Sequence, residues 1–175
     1  MTVALLVLIG KCRPPLQFFK MPERLRRLEE VFTRSPIYFV TACAFGRRPV
    51  LATAVIHDAL RRFGEVGESC GAWLGAYIIM PDHIHLFVAL DVEQLKLGTW
   101  MKSLKNVLSR TLRAEGVPAP HWQKGFFDHV LRSGDTYSEK WFYVRDNAVR
   151  AGLVREWKDW PYVGEVFDLE LTSQK

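Results

Sequence analysis

The stretch MPDHIHLFVAL, from Met80 to Leu90, decides the fold of this chain. Two apolar runs, WLGAYIIM at 73–80 and HIHLFVAL at 83–90, are separated only by Pro81-Asp82. Proline and aspartate are turn-forming residues, because proline presets its backbone and aspartate bonds to nearby main-chain groups. The two runs therefore predict two strands joined as a hairpin.

The second of these strands carries two histidines in an otherwise apolar run. Strand side chains alternate between faces, so His83 and His85 share one face while Ile84, Leu86 and Val88 share the other. The aliphatic face is expected to pack on helices. Two imidazoles two residues apart are close enough to bind one metal ion. The alternative is that both rings are satisfied by hydrogen bonds on a partly hydrated sheet face, and the strand alone leaves the choice open.

Working outward from the hairpin, β-branched and aromatic runs predict strands, and apolar residues at helical spacing predict helices. The order is β-α-β-β-α-β followed by one more helix. This order predicts an α+β fold of the ferredoxin-like, split βαβ type, with an antiparallel sheet and two helices on one face. The last helix is expected to begin at a T-x-x-E capping box, Thr136 to Glu139, and to stop near Gly152. Beyond the hairpin, the predicted elements are a strand at 37–45, a helix at 53–64, a helix from about 92 to 114, a strand at 126–132, a helix from 136 to about 149, and an irregular aromatic segment after it.

Composition limits the class of protein. The 175 residues contain 24 Lys and Arg against 19 Asp and Glu, so the net charge of +5 permits a polyanionic partner without requiring one. The apolar run at 3–9 is far shorter than a membrane-spanning helix, and no membrane partner is expected. Three widely spaced cysteines predict a reduced, cytoplasmic chain rather than a disulfide scaffold. Residues 1–20 are interpreted as an N-terminal extension, and residues 21–175 as one domain.

The last predicted helix carries a tyrosine and an asparagine on one face. Tyr143 and Asn147 are four residues apart, which makes them neighbours on a helix. A phenol can attack a phosphate and form a covalent ester, but with an ordinary pKa near 10 it needs a cation or a base nearby. One hypothesis is that His83, His85 and Asn147 hold a metal and Tyr143 attacks. The alternatives are that Tyr143 is a core aromatic residue and that Asn147 caps a helix end.

Several stretches of the chain resemble one family. PDHIHLFVAL resembles the histidine–hydrophobic–histidine motif of single-strand DNA transposases that use one catalytic tyrosine. YVRDNAVRAGLV resembles the tyrosine motif of the REP-associated tyrosine transposases, with Ala148 where that family often has proline. YFVTACAFGRRPVL and HWQKGFFDHVLRSGDTY resemble that family's first strand and fourth strand. The resemblance extends from about Pro22 to Phe167.

The resemblance implies a reaction and the residues that carry it out. Tyr143 matches the nucleophile, which cuts and rejoins single-stranded DNA at palindromic repeat hairpins through a 5′-phosphotyrosine. His83, His85 and Asn147 match the ligands of Mg²⁺ or Mn²⁺, and Tyr137 matches a tyrosine that is not the nucleophile. The protein is expected to act as a monomer or a homodimer. The expected DNA-binding residues are Lys102, Lys105, Arg110, Arg145 and Arg150.

Three other functions remain open at this stage. The chain could be a hairpin-binding module without catalysis, which would bind DNA but not cut it. It could be a metal-dependent phosphodiesterase that uses water, in which case Tyr143→Phe would retain activity. If the histidines are only structural, metal would not change the stability of the protein.

Overall fold

A β-sheet organises the described part of the chain. The computed structural model describes residues 35–131 and 137–169. The interpreted extension at residues 1–20 and the predicted cap at Thr136 lie outside these residues. The elements, in chain order, are β1 Ile37–Cys43, α1 Ala54–Gly67, β2 Ala72–Ile79, β3 His83–Leu90, α2 Leu97–Ala114, β4 Phe127–Val130, α3 Tyr137–Arg145, α4 Asn147–Arg150 and β5 Val163–Glu165.

The sheet has five strands in the order β4-β1-β3-β2-β5, and all neighbouring strands are antiparallel. The strand β3 lies at the centre of the sheet, and its bounds are those predicted. The predicted α+β, split βαβ arrangement is confirmed, including the hairpin through Pro81-Asp82. Because β3 pairs with β1 on one side and β2 on the other, the backbone of the histidine strand is held by hydrogen bonds along both edges.

One face of the sheet is covered by α1 and α2. The side chains of Ile84, Leu86 and Val88 point to this face and are almost fully buried. They pack with an aromatic pair between the two helices, Phe63 and Trp100, whose ring centroids lie 5.5 Å apart. This layer is the larger apolar core, and it contains the aliphatic side chains that were predicted to share one face of β3.

The opposite face, which carries the histidines, is partly covered by α3 and the C-terminal segment. Phe87 and Phe39 of the sheet face pack in a second buried cluster with Tyr137 and Val144 of α3 and with Ala148 of α4. The predicted C-terminal helix is therefore present and lies on the histidine face. The sheet consequently has helices on both faces, two on one and the tyrosine-bearing pair on the other.

The tyrosine helix is interrupted, which was not predicted. We expected one helix to about Val149, but α3 ends at Arg145 and Asp146 has ψ of 4°. The short α4 follows and ends at Arg150, and the predicted stop, Gly152, lies two residues beyond it with φ of +69°. Its N–H bonds to the carbonyl of Val149 at 2.9 Å, and Leu153 N–H bonds to Ala148 O at 2.9 Å, the pattern of a Schellman cap. Glycine suits this position because it adopts a left-handed backbone without a Cβ clash.

Two larger differences from the prediction concern the start of α2 and the C-terminal segment, beside shifts of one to three residues at the ends of other elements. The helix α2 begins at Leu97 rather than near Val92, because Asp91 organises a turn before it. The main-chain oxygen of Asp91 accepts from Gln94 N at 3.0 Å and its carboxylate accepts from Glu93 N at 3.1 Å. The segment expected to be irregular contains the short strand β5, which pairs with β2. In the part of the chain that the structure describes, no helix is both long and apolar enough to cross a membrane.

Candidate active site

The two histidines of β3 lie side by side on the sheet face. The ring centroids of His83 and His85 are 4.7 Å apart, and the rings meet edge to face. The side chain of His83 is 17% exposed, and His85 lies deeper, with its ring stacked on Phe39 at a centroid distance of 5.4 Å. The pair is therefore close enough for both rings to reach one ion, as the strand alternation predicted.

Each histidine ring is oriented by a contact at Nδ1. Asp82 Oδ1 lies 2.6 Å from His83 Nδ1, and Thr41 Oγ1 lies 2.8 Å from His85 Nδ1. A partner on one ring nitrogen sets the tautomer and leaves the other nitrogen, here Nε2, for a ligand. Metal-binding histidines commonly have such a partner, often a carboxylate. The donor set thus fits a cation held by imidazole.

Asp82 is itself held by an arginine that sequence analysis did not single out. Arg47 Nε lies 3.0 Å from Asp82 Oδ2, and Arg47 Nη1 donates to Cys43 Sγ at 2.9 Å. Gly46 and Arg47 both have positive φ, at 61° and 56°, which turns the chain after β1 back toward the hairpin. The sequence contains the G-R-R-P turn, but it does not reveal the left-handed backbone of Gly46 and Arg47 or the contact of Arg47 with Asp82.

The environment keeps His85 neutral. Burial is the largest cause, followed by the neighbouring His83 and by the positive charges of Arg150 and Arg47, and together they lower the pKa of His85 to about 3. A neutral imidazole is the form that binds a metal, so proton competition at His85 is weak across the physiological range.

The lowered pKa of His85 predicts a loss of stability in acid. Above pH 6.5, the ordinary value, His85 is neutral in both the folded and the unfolded chain. Below it, the unfolded chain takes up a proton that the folded chain does not, so the free energy of unfolding decreases until the pH approaches 3. One proton contributes a slope of at most about 1.4 kcal/mol per pH unit. Urea titrations from pH 7 to 4 measure the slope, and an equal slope in His85→Gln would contradict the assignment.

Tyr143, Asn147 and Arg150 form a second group, on α3 and α4. Tyr143 is 69% exposed. The guanidinium carbon of Arg150 lies 4.1 Å from the centroid of the Tyr143 ring, and Arg150 Nη2 donates to the main-chain oxygen of Tyr143 at 2.7 Å. The same nitrogen donates to Asn147 Oδ1. The predicted pairing of Tyr143 with Asn147 therefore survives the break at Asp146, and Arg150 joins the two side chains.

The tyrosine group lies on the histidine side of the sheet. Lys140 of α3 lies over the Phe39 ring at 5.7 Å, and Phe39 in turn stacks on His85. Trp141 packs edge-on against Phe87 with a centroid distance of 6.4 Å. The charge of Arg150 also acts on His85. The fold thus brings the histidine pair of β3 and the tyrosine group of α3 and α4 to the same face of the sheet.

Tyr137 has a different environment from Tyr143. It is 5% exposed, its hydroxyl oxygen accepts from Ala76 N–H at 2.8 Å, and its hydroxyl donates to Glu165 at 3.4 Å. Burial raises its pKa well above 10. Gly75 allows this approach, because a Cβ there would lie 2.8 Å from the Tyr137 hydroxyl. A buried, hydrogen-bonded phenol serves packing rather than attack on a large substrate.

Replacing Tyr137 by phenylalanine is expected to lower stability. The change leaves the Ala76 N–H buried without its partner, which typically costs about 1–3 kcal/mol. Thermal or urea unfolding measures the loss. An unaltered free energy of unfolding would contradict the role given to this hydroxyl.

Besides Arg150, two of the predicted DNA-binding residues already have protein partners. Lys105 donates to the carbonyls of Gln123, at 3.3 Å, and Gly125. Arg145 stacks between Phe142 and Trp157, with its guanidinium carbon 4.4 and 4.7 Å from the two ring centroids. These contacts hold loops in place.

The remaining predicted cations are exposed. Lys102 and Arg110 lie on α2, which is on the opposite layer from the histidines, whereas Arg150 lies beside the site. Among the described residues there is no cluster of three or more His, Cys, Asp or Glu that could hold a metal. Within the part of the chain that the structure describes, a third protein ligand would therefore be of another type, such as the Asn147 amide oxygen.

Comparison with known proteins defines the class of protein to which this fold and its paired histidines belong. Residues 33–142 match the model of the family described as "Transposase IS200 like", so the chain belongs to that family. It is similar to a REP-associated tyrosine transposase of Escherichia coli strain K12, at 22% identity over 131 residues, 75% of this chain and 77% of the relative.

Two further proteins agree. A Haemophilus influenzae protein assigned to the same class is 27% identical over 145 residues, 75% of this chain and 80% of the relative. A solved REP-associated tyrosine transposase bound to a REP hairpin has the same fold, with a TM-score of 0.58, 21% identity, and coverage of 76% of this chain and 88% of that one. The resemblance to REP-associated tyrosine transposases predicted from the motifs is confirmed.

Proposed function

We propose that this chain is a REP-associated tyrosine transposase that cuts and rejoins single-stranded DNA beside palindromic repeat hairpins. Membership of the transposase family and the hairpin bound to the solved relative support the DNA class. The observation that carries the proposal is the contrast between two tyrosines. Tyr143 is exposed and adjoins Asn147 on the histidine face, whereas Tyr137 is buried and hydrogen-bonded.

In the proposed reaction the Tyr143 hydroxyl oxygen attacks the scissile phosphorus. A bond forms between that oxygen and phosphorus, and the bond from phosphorus to the 3′ oxygen of the preceding nucleotide breaks. The phenol loses its proton to solvent, and the leaving 3′ oxygen gains one. The product is a 5′-phosphotyrosine and a free 3′-hydroxyl. Rejoining is the reverse attack by a 3′-hydroxyl, so no nucleotide cofactor is consumed.

His83, His85 and Asn147 are the residues that would hold a divalent cation, Mg²⁺ or Mn²⁺. The two Nδ1 contacts, to Asp82 and to Thr41, orient the imidazoles for such a ligand. A bound cation would supply charge that offsets the negative charge developing on the phosphate oxygens. The chain's own contribution is to keep His85 neutral and to hold the tyrosine on the same surface.

DNA binding by the exposed cations and aromatic rings remains a proposal. Phe127 is 60% exposed and pairs across the sheet with Thr41, the residue that contacts His85. Phe142 is half exposed on the tyrosine helix. Stacking of an unpaired base on an exposed aromatic ring contributes about 1–3 kcal/mol. Phosphate contacts by Arg150 and by exposed lysines would make affinity fall as salt is raised.

The test is a covalent-adduct assay with hairpin DNA from the protein's genomic neighbourhood. Two versions of the same oligonucleotide are used, one labelled at the 3′ end and one at the 5′ end, each with Mn²⁺ or with EDTA. A 5′-phosphotyrosine retains the fragment on the 3′ side of the cut, so only the 3′-labelled DNA should migrate with the protein on a denaturing gel. EDTA should abolish that band.

Each other result contradicts a defined part of the proposal. Label in the protein band from the 5′-labelled DNA would reverse the polarity of the linkage. Cleavage without any protein band would indicate a phosphodiesterase that uses water. A shifted hairpin on a native gel, without cleavage at any site of a tiled set of flanking sequences, would indicate a binding module.

A further inference from the structure

Arg150 contacts both of the residues that α3 and α4 contribute to the site. Its Nη2 donates to Asn147 Oδ1 and to the main-chain oxygen of Tyr143, and its guanidinium covers the Tyr143 ring at 4.1 Å. The amide oxygen that would serve as the third metal ligand is therefore already bound by a cation. Resting on the proposed function, we propose that Arg150 competes with the divalent metal for Asn147 until a DNA phosphate draws the guanidinium away.

The charge of Arg150 adds to this competition. A guanidinium is always protonated, so it repels a second cation at short range. Arg150 follows Ala148 on α4, and Ala148 packs in the buried cluster of Phe39 and Phe87 on the histidine face of the sheet. In the free protein, then, a monovalent cation from the chain itself occupies the neighbourhood in which His83, His85 and Asn147 would hold a divalent one.

The contact is also one that DNA can displace. Arg150 is exposed, and its bonds to Asn147 and Tyr143 are to neutral oxygens. A phosphate is itself charged and can accept two parallel bonds from a guanidinium, so it pairs two opposite charges where the present bonds pair one charge with a neutral oxygen. A scissile phosphate beside Tyr143 would therefore be favoured over the amide oxygen as the partner of Arg150. Moving the guanidinium to the phosphate would release Asn147 for the metal and keep Arg150 next to the reacting group.

The proposal makes metal binding and DNA binding mutually reinforcing. Coupling between two sites acts equally in both directions, so hairpin DNA should tighten metal binding and metal should tighten DNA binding. Part of that coupling would exist in any site where phosphate oxygens bind the metal. The contribution of Arg150 can be measured without DNA, because it makes the affinity of the free protein for metal lower than that of a variant without Arg150.

The experiment is a Mn²⁺ titration of the full chain, followed by the EPR signal of free Mn²⁺. It uses wild type, Arg150→Gln, Arg150→Met and, as a matched control, Arg62→Gln. Arg62 is exposed on α1 in the opposite layer, so its replacement removes the same charge far from the site. Arg150→Gln and Arg150→Met should bind Mn²⁺ about tenfold tighter than wild type, within the range typical of coupled sites. Arg62→Gln should stay close to wild type.

A second comparison tests whether Asn147 is the shared group. Adding Asn147→Ala to Arg150→Gln should remove the tightening. Hairpin DNA, tested in a Tyr143→Phe background so that it stays intact, should increase Mn²⁺ affinity more when Arg150 is present than in Arg150→Gln. Thermal unfolding of each variant establishes that the chains are folded, and Arg150→Met retains the apolar stem if Arg150→Gln is unstable.

The outcomes separate this inference from the proposed function. If Arg150→Gln and Arg150→Met bind Mn²⁺ no tighter than wild type while wild type forms the DNA adduct, only the competition is overturned. Tightening that persists with Asn147→Ala would overturn Asn147 as the shared group. If wild type binds no Mn²⁺ with or without hairpin DNA, both the metal part of the proposed function and this inference fail.

Discussion

Replacing Tyr143 by phenylalanine is expected to abolish the covalent protein–DNA adduct and to lower strand cleavage by at least about 10³-fold, as loss of a nucleophile does in other enzymes. The change removes one oxygen and leaves the ring. Because Tyr143 is exposed and Phe can still pack under the Arg150 guanidinium, the free energy of unfolding should change by less than about 0.5 kcal/mol. The measurement is the 3′-labelled adduct assay beside a thermal melt.

Tyr137→Phe is the matched control for Tyr143→Phe. The two substitutions delete the same atom from tyrosines six residues apart on one helix. We expect opposite profiles, with stability lost and adduct retained for Tyr137→Phe, and stability retained and adduct lost for Tyr143→Phe. Undiminished cleavage by Tyr143→Phe would remove the nucleophile from the proposal. Loss of the adduct in both variants would mean that the Tyr137 hydroxyl, or the helix position that it fixes, is also needed for activity.

Replacing His85 by alanine is expected to have the second largest effect. The substitution removes one of two imidazole donors and leaves Thr41 Oγ1 without its partner. Loss of a hydrogen bond to a metal ligand alone typically lowers metal affinity 10–100-fold, so loss of the ligand should lower Mn²⁺ affinity by more than about 100-fold. Adduct formation at a fixed Mn²⁺ concentration should fall accordingly. Isothermal titration with Mn²⁺ and the adduct assay measure the two effects.

Two other variants make the His85 result specific. Thr41→Val keeps the size of the side chain but removes the contact at His85 Nδ1, so its effect on Mn²⁺ affinity should lie between wild type and His85→Ala. His57→Gln changes a histidine of α1 that bonds to Tyr77 at 2.9 Å in the opposite layer, and it should leave Mn²⁺ affinity unchanged. Equal losses in His57→Gln and His85→Ala would point to a general effect on folding.

The central strand could be predicted from the sequence because its pattern is strict. Alternation over eight residues assigned His83 and His85 to one face and the aliphatic residues to the other, and the turn at Pro81-Asp82 set where the strand begins. The strand β5 was missed because Val163–Glu165 is only three residues long and has Gly164 at its centre, so it shows no alternation of apolar and polar residues. Its pairing with β2 depends on the sheet edge being present, which is a property of the folded chain.

The site was predictable where it depends on local spacing. The i, i+4 relation placed Tyr143 next to Asn147, and the alternation of β3 placed the two histidines together. The contact of Arg47 with Asp82 could not be predicted, because it depends on left-handed backbone conformations that tertiary structure selects. The contact of Arg150 with Asn147, by contrast, follows from their spacing of three residues on one helix and was overlooked. The protein partners of Lys105 could not be predicted either, since nothing in its helix pattern reveals the carbonyls of the 123–125 loop that it binds.

The histidine pair and Tyr143 lie on elements that differ greatly in how firmly they are held in the fold. The histidines lie on the central strand, whose amides should exchange with deuterium only when the whole sheet opens. The nine-residue α3 buries only Tyr137 and Val144, so its amides should exchange through local opening at a much lower free energy. The chain can therefore move Tyr143, the proposed nucleophile, away from the histidines while the sheet remains folded. If Tyr143 holds a DNA strand and later releases it to a new end, as proposed, that release would not require global unfolding.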